Sequence, residues 1–184
     1  MTQRYRFPKP YADFVARLRV PSGFLLVAAF AWLARPGARS LAIGFPVSVL
    51  GLLLRGWAAG HLAKNQDLAR SGPYGYLRNP LYIGTLTVAA GLVIAARRWE
   101  LAALFAAVFL LVYLPVIELE EQHLRTLFPS YAAYARDVPA LAPRLTFAGA
   151  PGKFRWSLYR KNREYEALLG FLAGAGLLIG KALW

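Results

Sequence analysis

The 184-residue chain has no cysteine, one methionine, two histidines and only nine acidic residues. Without cysteine there is no disulfide, no thiol nucleophile and no thiolate metal site. Two histidines and scattered carboxylates show no recognisable ligand spacing, so no metal centre is expected. No glycine-rich dinucleotide loop and no phosphate loop is present. Polar stripes at helical spacing are missing from VAAGLVIAA (88–96) and LAALFAAVFLLVYL (101–114). That all-round apolarity argues against a soluble amphipathic bundle. No secretory signal pattern is evident, because the first apolar block begins near residue 21 and lacks a small-residue cleavage site.

What is present is apolar surface in blocks, spanning 21–34, 41–60, 81–96, 101–117 and 167–184. A membrane span needs roughly 20 apolar residues. The second, fourth and fifth blocks reach or approach that length, whereas the first and third are short. The expectation is an all-α, polytopic transmembrane helix bundle of four to five spans. Of the 22 basic residues, 17 fall on one side of such a bundle and five (Arg35, Arg39, Arg97, Arg98, Lys181) on the other. The positive-inside rule then puts the N-terminus and the polar segments 61–80 and 118–166 in the cytoplasm. The net charge of +13 reads as topology and contact with anionic lipid. Nucleic acid is not an expected partner, since the charges follow span ends and no nucleic-acid motif appears.

ARPGARS (34–40) and RRWE (97–100) read as tight turns between spans. The segment 114–138 reads as one helix leaving the membrane, with a kink or restart at Pro129. Trp156, Tyr159 and Tyr165 lie in a basic-aromatic segment that reads as an interfacial anchor. The last block carries Gly170, Gly174, Gly176 and Gly180 in two small-xxx-small pairs. These predict packing against the chain's own bundle, with a homodimer as the second reading. As a domain, 1–184 is expected to be one membrane unit, with 146–184 an interfacial segment plus a C-terminal span.

Polar groups collect at the cytoplasmic boundary in three places. They are His61-Leu-Ala-Lys64-Asn65-Gln66-Asp67; SGPYGYLRNPLYIG (71–84); and Glu118, Glu120 and Glu121 with His123 and Arg125. Unsatisfied polar groups are costly there, so a shared pocket is expected. Each has a plain structural alternative. Glu121 and Arg125 stand four apart and can pair along a helix. His61 can satisfy a local backbone group. Arg70 and Arg78 can be topology charges. Asn79-Pro80 suits a helix start, with Asn79 as the cap and Pro80 at the first helical position.

The order G-P-Y-x-Y-x-R-N-P-L-Y-I-G, a helical hairpin, then E-x-E-E-x-x-L-x-x-x-F-x-x-Y-x-x-Y-x-x-x-V-P resembles the isoprenylcysteine carboxyl methyltransferase-like family. That family is related to the phospholipid N-methyltransferases. The resemblance covers residues 41–145 and implies an integral membrane enzyme using S-adenosylmethionine. The family's Arg-His-Pro-x-Tyr signature falls on Arg78, Asn79, Pro80, Leu81 and Tyr82. Its earlier tyrosine falls on Tyr74, and its cofactor-lining strip on Gln66, Asp67, Leu68 and Ala69. Its glutamate pair falls on Glu120 and Glu121, with Glu120 at the cofactor-contacting position. The resemblance, together with the local chemistry, makes Arg78, Glu120, Glu121 and His61 the catalytic candidates. Asn79 replaces the family's usual histidine; it keeps hydrogen-bonding capacity but cannot change charge near neutral pH. The arginine that eukaryotic members place just before the glutamates is absent from LPVIELEE (114–121), which weighs against a prenylcysteine carboxylate as acceptor.

Methyl transfer from a sulfonium needs alignment more than a base. Carboxylates can hold the cofactor's hydroxyl and amino groups, arginine its carboxylate, and tyrosine faces its adenine or sulfonium. The expected activity is therefore methyl transfer to a hydrophobic or lipid-like acceptor in a bacterial inner membrane. A nicotinamide-dependent membrane reductase of the sterol-reductase type and a non-catalytic membrane scaffold are the alternatives.

Overall fold

The computed structural model describes residues 7–183; Arg4 and Arg6, counted above for orientation, and Trp184 lie outside the described residues. The described chain is helical, with no strand among the described residues. Its helices are α1 (Lys9–Leu33), α2 (Ala38–Ala59), α3 (Pro80–Ala96), α4 (Trp99–Val108), α5 (Leu114–Leu127), α6 (Tyr131–Asp137), α7 (Trp156–Lys161) and α8 (Tyr165–Leu183). A π-helical turn, Phe109–Tyr113, joins α4 and α5 into one 29-residue rod. Among the described residues four helices are long and apolar enough to cross a membrane: α1, α2, the α4–α5 rod and α8.

Helix α1 is longer than its apolar block. It begins three turns earlier because Tyr11 and Val15 pack on Val108, Val112 and Tyr113 of the rod. Pro115 leaves the rod without the N–H that a regular helix would direct at Leu111. The Tyr11 hydroxyl fills that gap, donating to the Leu111 carbonyl at 2.7 Å.

Helices α2 and α3 run antiparallel at close range. A Cβ on Gly51 would lie 2.6 Å from the Gly84 carbonyl oxygen, and one on Gly44 or Gly91 would meet the opposing backbone. Midway, the Ser48 hydroxyl donates to the Val88 carbonyl. The 17 residues of α3 extend about 25 Å, short of a roughly 30 Å hydrocarbon core. Its partnership with α2, rather than its length, therefore carries it through the bundle.

Helix α8 docks through Phe171, edge-on to Phe45 with ring centroids 5.8 Å apart, and through Leu178, buried with Ala34, Ala95, Ala96 and Leu101. The Lys181 ammonium donates to the Ala31 carbonyl at 2.8 Å. Gly170, Gly174, Gly176 and Gly180 take no part, since a Cβ on any of them would meet nothing within 4 Å. The expectation that these glycines pack α8 against its own bundle is therefore corrected. The large side chains on its other face make the contact.

At the end of the bundle where α2 meets α3, residues 139–155 form a strap over loop 60–79. Backbone N–H groups of Arg78 and Asn79 donate to the Pro139 and Ala140 carbonyls. Those of Arg144, Ala148, Ala150 and Arg155 donate back to Tyr76, Gly75, Arg70 and Gly60. Phe147 lies against Gly75 and Phe154 against Gly60, positions where a Cβ would collide with the ring.

Candidate functional site

At this end of the bundle lies a cavity of about 560 Å³. Its walls come from α1 (Arg19), α2 (Arg55), the 62–69 loop, α3 (Leu81, Tyr82, Thr85), the π turn (Tyr113), α5 (Glu120, His123, Leu124) and α6 (Tyr131, Tyr134). Three arginine–glutamate pairs frame it.

The first pair is a hub. Arg78 Nε and Nη2 donate to the two Glu121 carboxylate oxygens at 3.0 and 3.1 Å. Its Nη1 donates to the Ala135 and Val138 carbonyls at 2.8 and 2.9 Å. These carbonyls lie at the C-terminal end of α6, where backbone acceptors lack helical partners. One planar guanidinium thus ties the α3 entry to α5 and α6. Asn79 joins it, donating from Nδ2 to Glu121 and to the Ala140 carbonyl. Asn79 holds the N-cap position as expected, but its side chain makes no cap hydrogen bond. The carboxylate of Glu121 draws it away. Glu121 likewise does not pair with Arg125, whose guanidinium stands 5.1 Å from the Tyr131 ring centroid instead.

The second pair joins α2 to the turn between α7 and α8. Arg55 Nε and Nη2 donate to Glu164 at 2.5 and 3.0 Å. Its Nη1 reaches the Thr85 hydroxyl. Glu164 is 8% exposed and the Arg55 side chain 22%, so the carboxylate is the more deeply buried partner of a largely buried pair. Asn162, two residues earlier, donates to the Ala59 and Leu62 carbonyls and closes the end of α2. The third pair is looser: Arg19 Nη1 stands 3.5 Å from Glu120 Oε1, and each side chain is 46% exposed.

Burial also sets the tyrosines. Tyr74, Tyr131 and Tyr134 are held above the usual phenol pKa, chiefly by desolvation, so they remain neutral donors. The Tyr134 hydroxyl donates to the Tyr74 carbonyl at 2.7 Å. The Tyr82 and Tyr131 hydroxyls are buried beside Glu120 and Glu121 respectively, without a hydrogen bond of good geometry. Poorly satisfied groups are costly in a finished interior, and both residues line the cavity.

Of the residues singled out from sequence, Asp67, Leu68, Ala69, Tyr74, Arg78, Asn79, Leu81, Tyr82 and Glu120 line this one cavity. Gln66 is exposed and Pro80 is buried at the start of α3, and neither reaches the lining. Glu121 stands behind Arg78. His61 lies under the strap outside the cavity wall. Its Nδ1 is 2.9 Å from the Ser71 hydroxyl, its ring meets Phe154 edge-on, and Gly72, at φ +57°, lies against it. Burial, then the nearby Arg155 charge, lowers its pKa, which favours neutral imidazole. Arg19, Arg55, Thr85, Tyr113 and Tyr134 were not singled out from sequence, yet they share the cavity. Arg19 and Arg55 read there as ordinary topology charges; an arginine inside an apolar helix was the available signal for Arg55. Among the described residues no group of three or more histidine and acidic side chains is placed to hold a metal ion.

The phospholipid methyltransferase family matches residues 22–130. The chain is similar to the cobalt-zinc-cadmium resistance protein CzcN of Cupriavidus metallidurans. The two are 34% identical over 119 residues, covering 64% of this chain and 53% of that protein. It is also similar to the nickel-cobalt-cadmium resistance protein NccN of Alcaligenes xylosoxydans xylosoxydans. That match is 32% identical over 130 residues, covering 70% of this chain and 54% of that protein. The chain spans about half the length of these curated relatives. No solved structure matches it.

Proposed function

The chain belongs to the phospholipid methyltransferase family and is an integral membrane protein; from that premise we propose that it transfers a methyl group from S-adenosylmethionine to a hydrophobic or lipid-like acceptor. The observation that carries the reading is the chemistry of the cavity wall. It combines carboxylates, Asp67 and Glu120, with aromatic faces, Tyr82 and Tyr113, and two buried phenol hydroxyls, Tyr82 and Tyr131, that lack a well-aligned hydrogen bond. The donor set fits the cofactor. Carboxylates accept from hydroxyl and ammonium groups, phenols donate to ring nitrogens or a carboxylate, and aromatic faces suit adenine or a sulfonium. The volume falls within the roughly 300–1,000 Å³ of small-molecule sites.

When bound, S-adenosylmethionine supplies an electrophilic methyl on a cationic sulfur. The chain's own residues align and shield. Arg78 and Glu121 hold the α3 entry, α5 and α6 at fixed separation, which keeps Tyr82 and Glu120 on one wall. The four hydrogen bonds already made by Arg78 support a positioning role for it. The strap pins loop 60–79 by backbone hydrogen bonds, and Asp67 on that loop is available to cofactor hydroxyls. Glu120 is an available proton acceptor if the acceptor is an amine; an acceptor carboxylate needs none. In this reading the site faces the cytoplasm of a bacterial inner membrane, as the distribution of basic residues supports. The metal resistance in the relatives' names would follow here from methylation of a membrane component.

Calorimetry on detergent-purified protein tests the reading. S-adenosylmethionine and S-adenosylhomocysteine are expected to bind, and an Asp67→Ala/Glu120→Ala double variant to lose at least about tenfold in affinity. Labelled methyl transfer to a membrane lipid extract then identifies the acceptor. Binding of NADPH with no binding of either sulfur cofactor would overturn the proposal in favour of a reductase.

A further inference from the structure

The three arginine–glutamate pairs around the cavity differ in kind. Arg78–Glu121 and Arg55–Glu164 are two-pronged, largely buried and locked by additional carbonyl or hydroxyl acceptors. Arg19–Glu120 is a single contact of 3.5 Å between half-exposed side chains. The Arg19 guanidinium carbon also stands 5.8 Å from the ring centroids of both Tyr82 and Tyr113. Those rings meet edge to face, with centroids 6.3 Å apart and planes at 77°. Two aromatic walls at nearly a right angle, with a carboxylate beside them, make a corner built for a cation. Arg19 fills it without any second anchor.

We infer that Tyr82, Tyr113 and Glu120 form a subsite for an onium group, a sulfonium or quaternary ammonium, and that Arg19 is its built-in occupant, displaced when such a ligand arrives. This rests on, and deepens, the proposed methyl transfer. An onium centre is poorly hydrated and presents methyl groups to the ring faces, so it gives up little on entering the corner. A guanidinium that is half in water keeps most of its hydration outside it. Displacement therefore releases a weak contact and forms a better-matched one. The freed side chain remains tethered at the cavity mouth. Arg19 is supplied by α1, whereas the two rings and the carboxylate come from α3, the π turn and α5. Tyr113 gains its position from the π turn.

The onium could be the cofactor's sulfonium or the ammonium of a lipid headgroup, and the test separates them. Full-length protein in detergent is titrated with S-adenosylmethionine, with neutral S-adenosylhomocysteine, and with tetramethylammonium read as a shift in thermal unfolding. The wild type is compared with Arg19→Gln, Arg19→Lys and Glu120→Gln. An exposed ion pair contributes little to folding, so Arg19→Gln should fold normally. For a sulfonium site, Arg19→Gln tightens S-adenosylmethionine about five- to tenfold and leaves S-adenosylhomocysteine within about twofold. Arg19→Lys stays near wild type and Glu120→Gln weakens the cation selectively. For a headgroup site, tetramethylammonium shows the same pattern while the sulfur cofactors do not. If it does so with no sulfur cofactor bound at all, the subsite stands and the methyltransferase reading falls. If S-adenosylmethionine and S-adenosylhomocysteine bind but respond alike to Arg19→Gln, and tetramethylammonium does not respond, the inference falls and the methyltransferase reading stands. Weaker binding of either cation in Arg19→Gln, or no cation binding in any variant, also overturns the inference.

Discussion

Helix α8 and the α2–α3 pair both carry glycines at regular spacing, and they use them in opposite ways. On α8 the spacing is four residues, the pattern usually taken as a sign of close helix packing, yet nothing approaches those glycines. On α2 and α3 the spacing is seven, Gly44 to Gly51 and Gly84 to Gly91, and every one of the four faces the opposing helix. The difference is complementarity. Each glycine on α2 meets a glycine or alanine segment on α3 running the other way, and Ser48 adds a hydrogen bond between them. A small residue permits close approach, and a matching surface on the partner makes it happen. The close seam then has a consequence at its site end. The next turn after Gly51 carries Arg55, and opposite it α3 carries Tyr82 and Thr85, so the glycines set the width of the cavity wall.

Breaking the seam should give the largest effect. Gly51→Val or Gly91→Val forces backbone against side chain and is expected to destabilise by about 3 kcal/mol or more, read as lost monodisperse protein and a lower unfolding midpoint in detergent. Next comes Arg55→Met, which leaves Glu164 buried without its partner and is expected to lower stability by about 3 kcal/mol. The Arg55→Met/Glu164→Leu double variant should recover most of it, and failure to recover would assign the loss to Thr85 and the helix seam instead. A smaller lever lies in the loop that joins the two helices. Burial holds the His61 imidazole below its ordinary pKa of 6.5, so the unfolded chain binds a proton that the folded chain resists. Stability should hold above neutral pH and fall as pH drops through and below 6.5. His61→Gln should flatten that slope, measured by denaturation midpoints across pH. The smallest effect is expected on α8, where Gly174→Val should change the unfolding midpoint by no more than about 0.5 kcal/mol in free-energy terms. A large loss there would mean that the open face of α8 has a partner in the detergent-solubilised protein.

Much of this arrangement was legible from sequence. The apolar blocks, the short turns within 34–40 and 97–100, and the restart after Pro129 follow from hydropathy and proline chemistry. The convergence of Tyr82 and Glu120 was legible because two motifs in order imply one pocket, and Asp67 because the family resemblance carries a cofactor-lining strip onto 66–69. Other parts were hidden for physical reasons. The strap 139–155 has no periodic pattern; its order comes from single backbone hydrogen bonds to loop 60–79, which leave no trace in composition. Arg19 and Arg55 were masked by the rule that basic residues cluster at one end of spans, which accounts for any arginine there without asking what it touches. The glycine seam was hidden because each helix holds only half of it. The early start of α1 was missed because Arg17 and Arg19 interrupt the hydropathy, while Tyr11 and Val15 still pack.

The π turn at Phe109–Tyr113 adds, in effect, one residue to an otherwise regular rod. Each residue of an α-helix advances its side chains by roughly 100°. Deleting a single apolar residue within the turn would return it to regular α winding and leave the halves on either side close to their present phase. Deleting one from the regular stretch before it, such as Leu104, would instead swing Glu120, His123 and Leu124 away from the cavity by more than a quarter turn. The membrane-embedded part of this helix thus sets the phase of the part that carries the polar chemistry, and a change far from water would be felt first at the carboxylate.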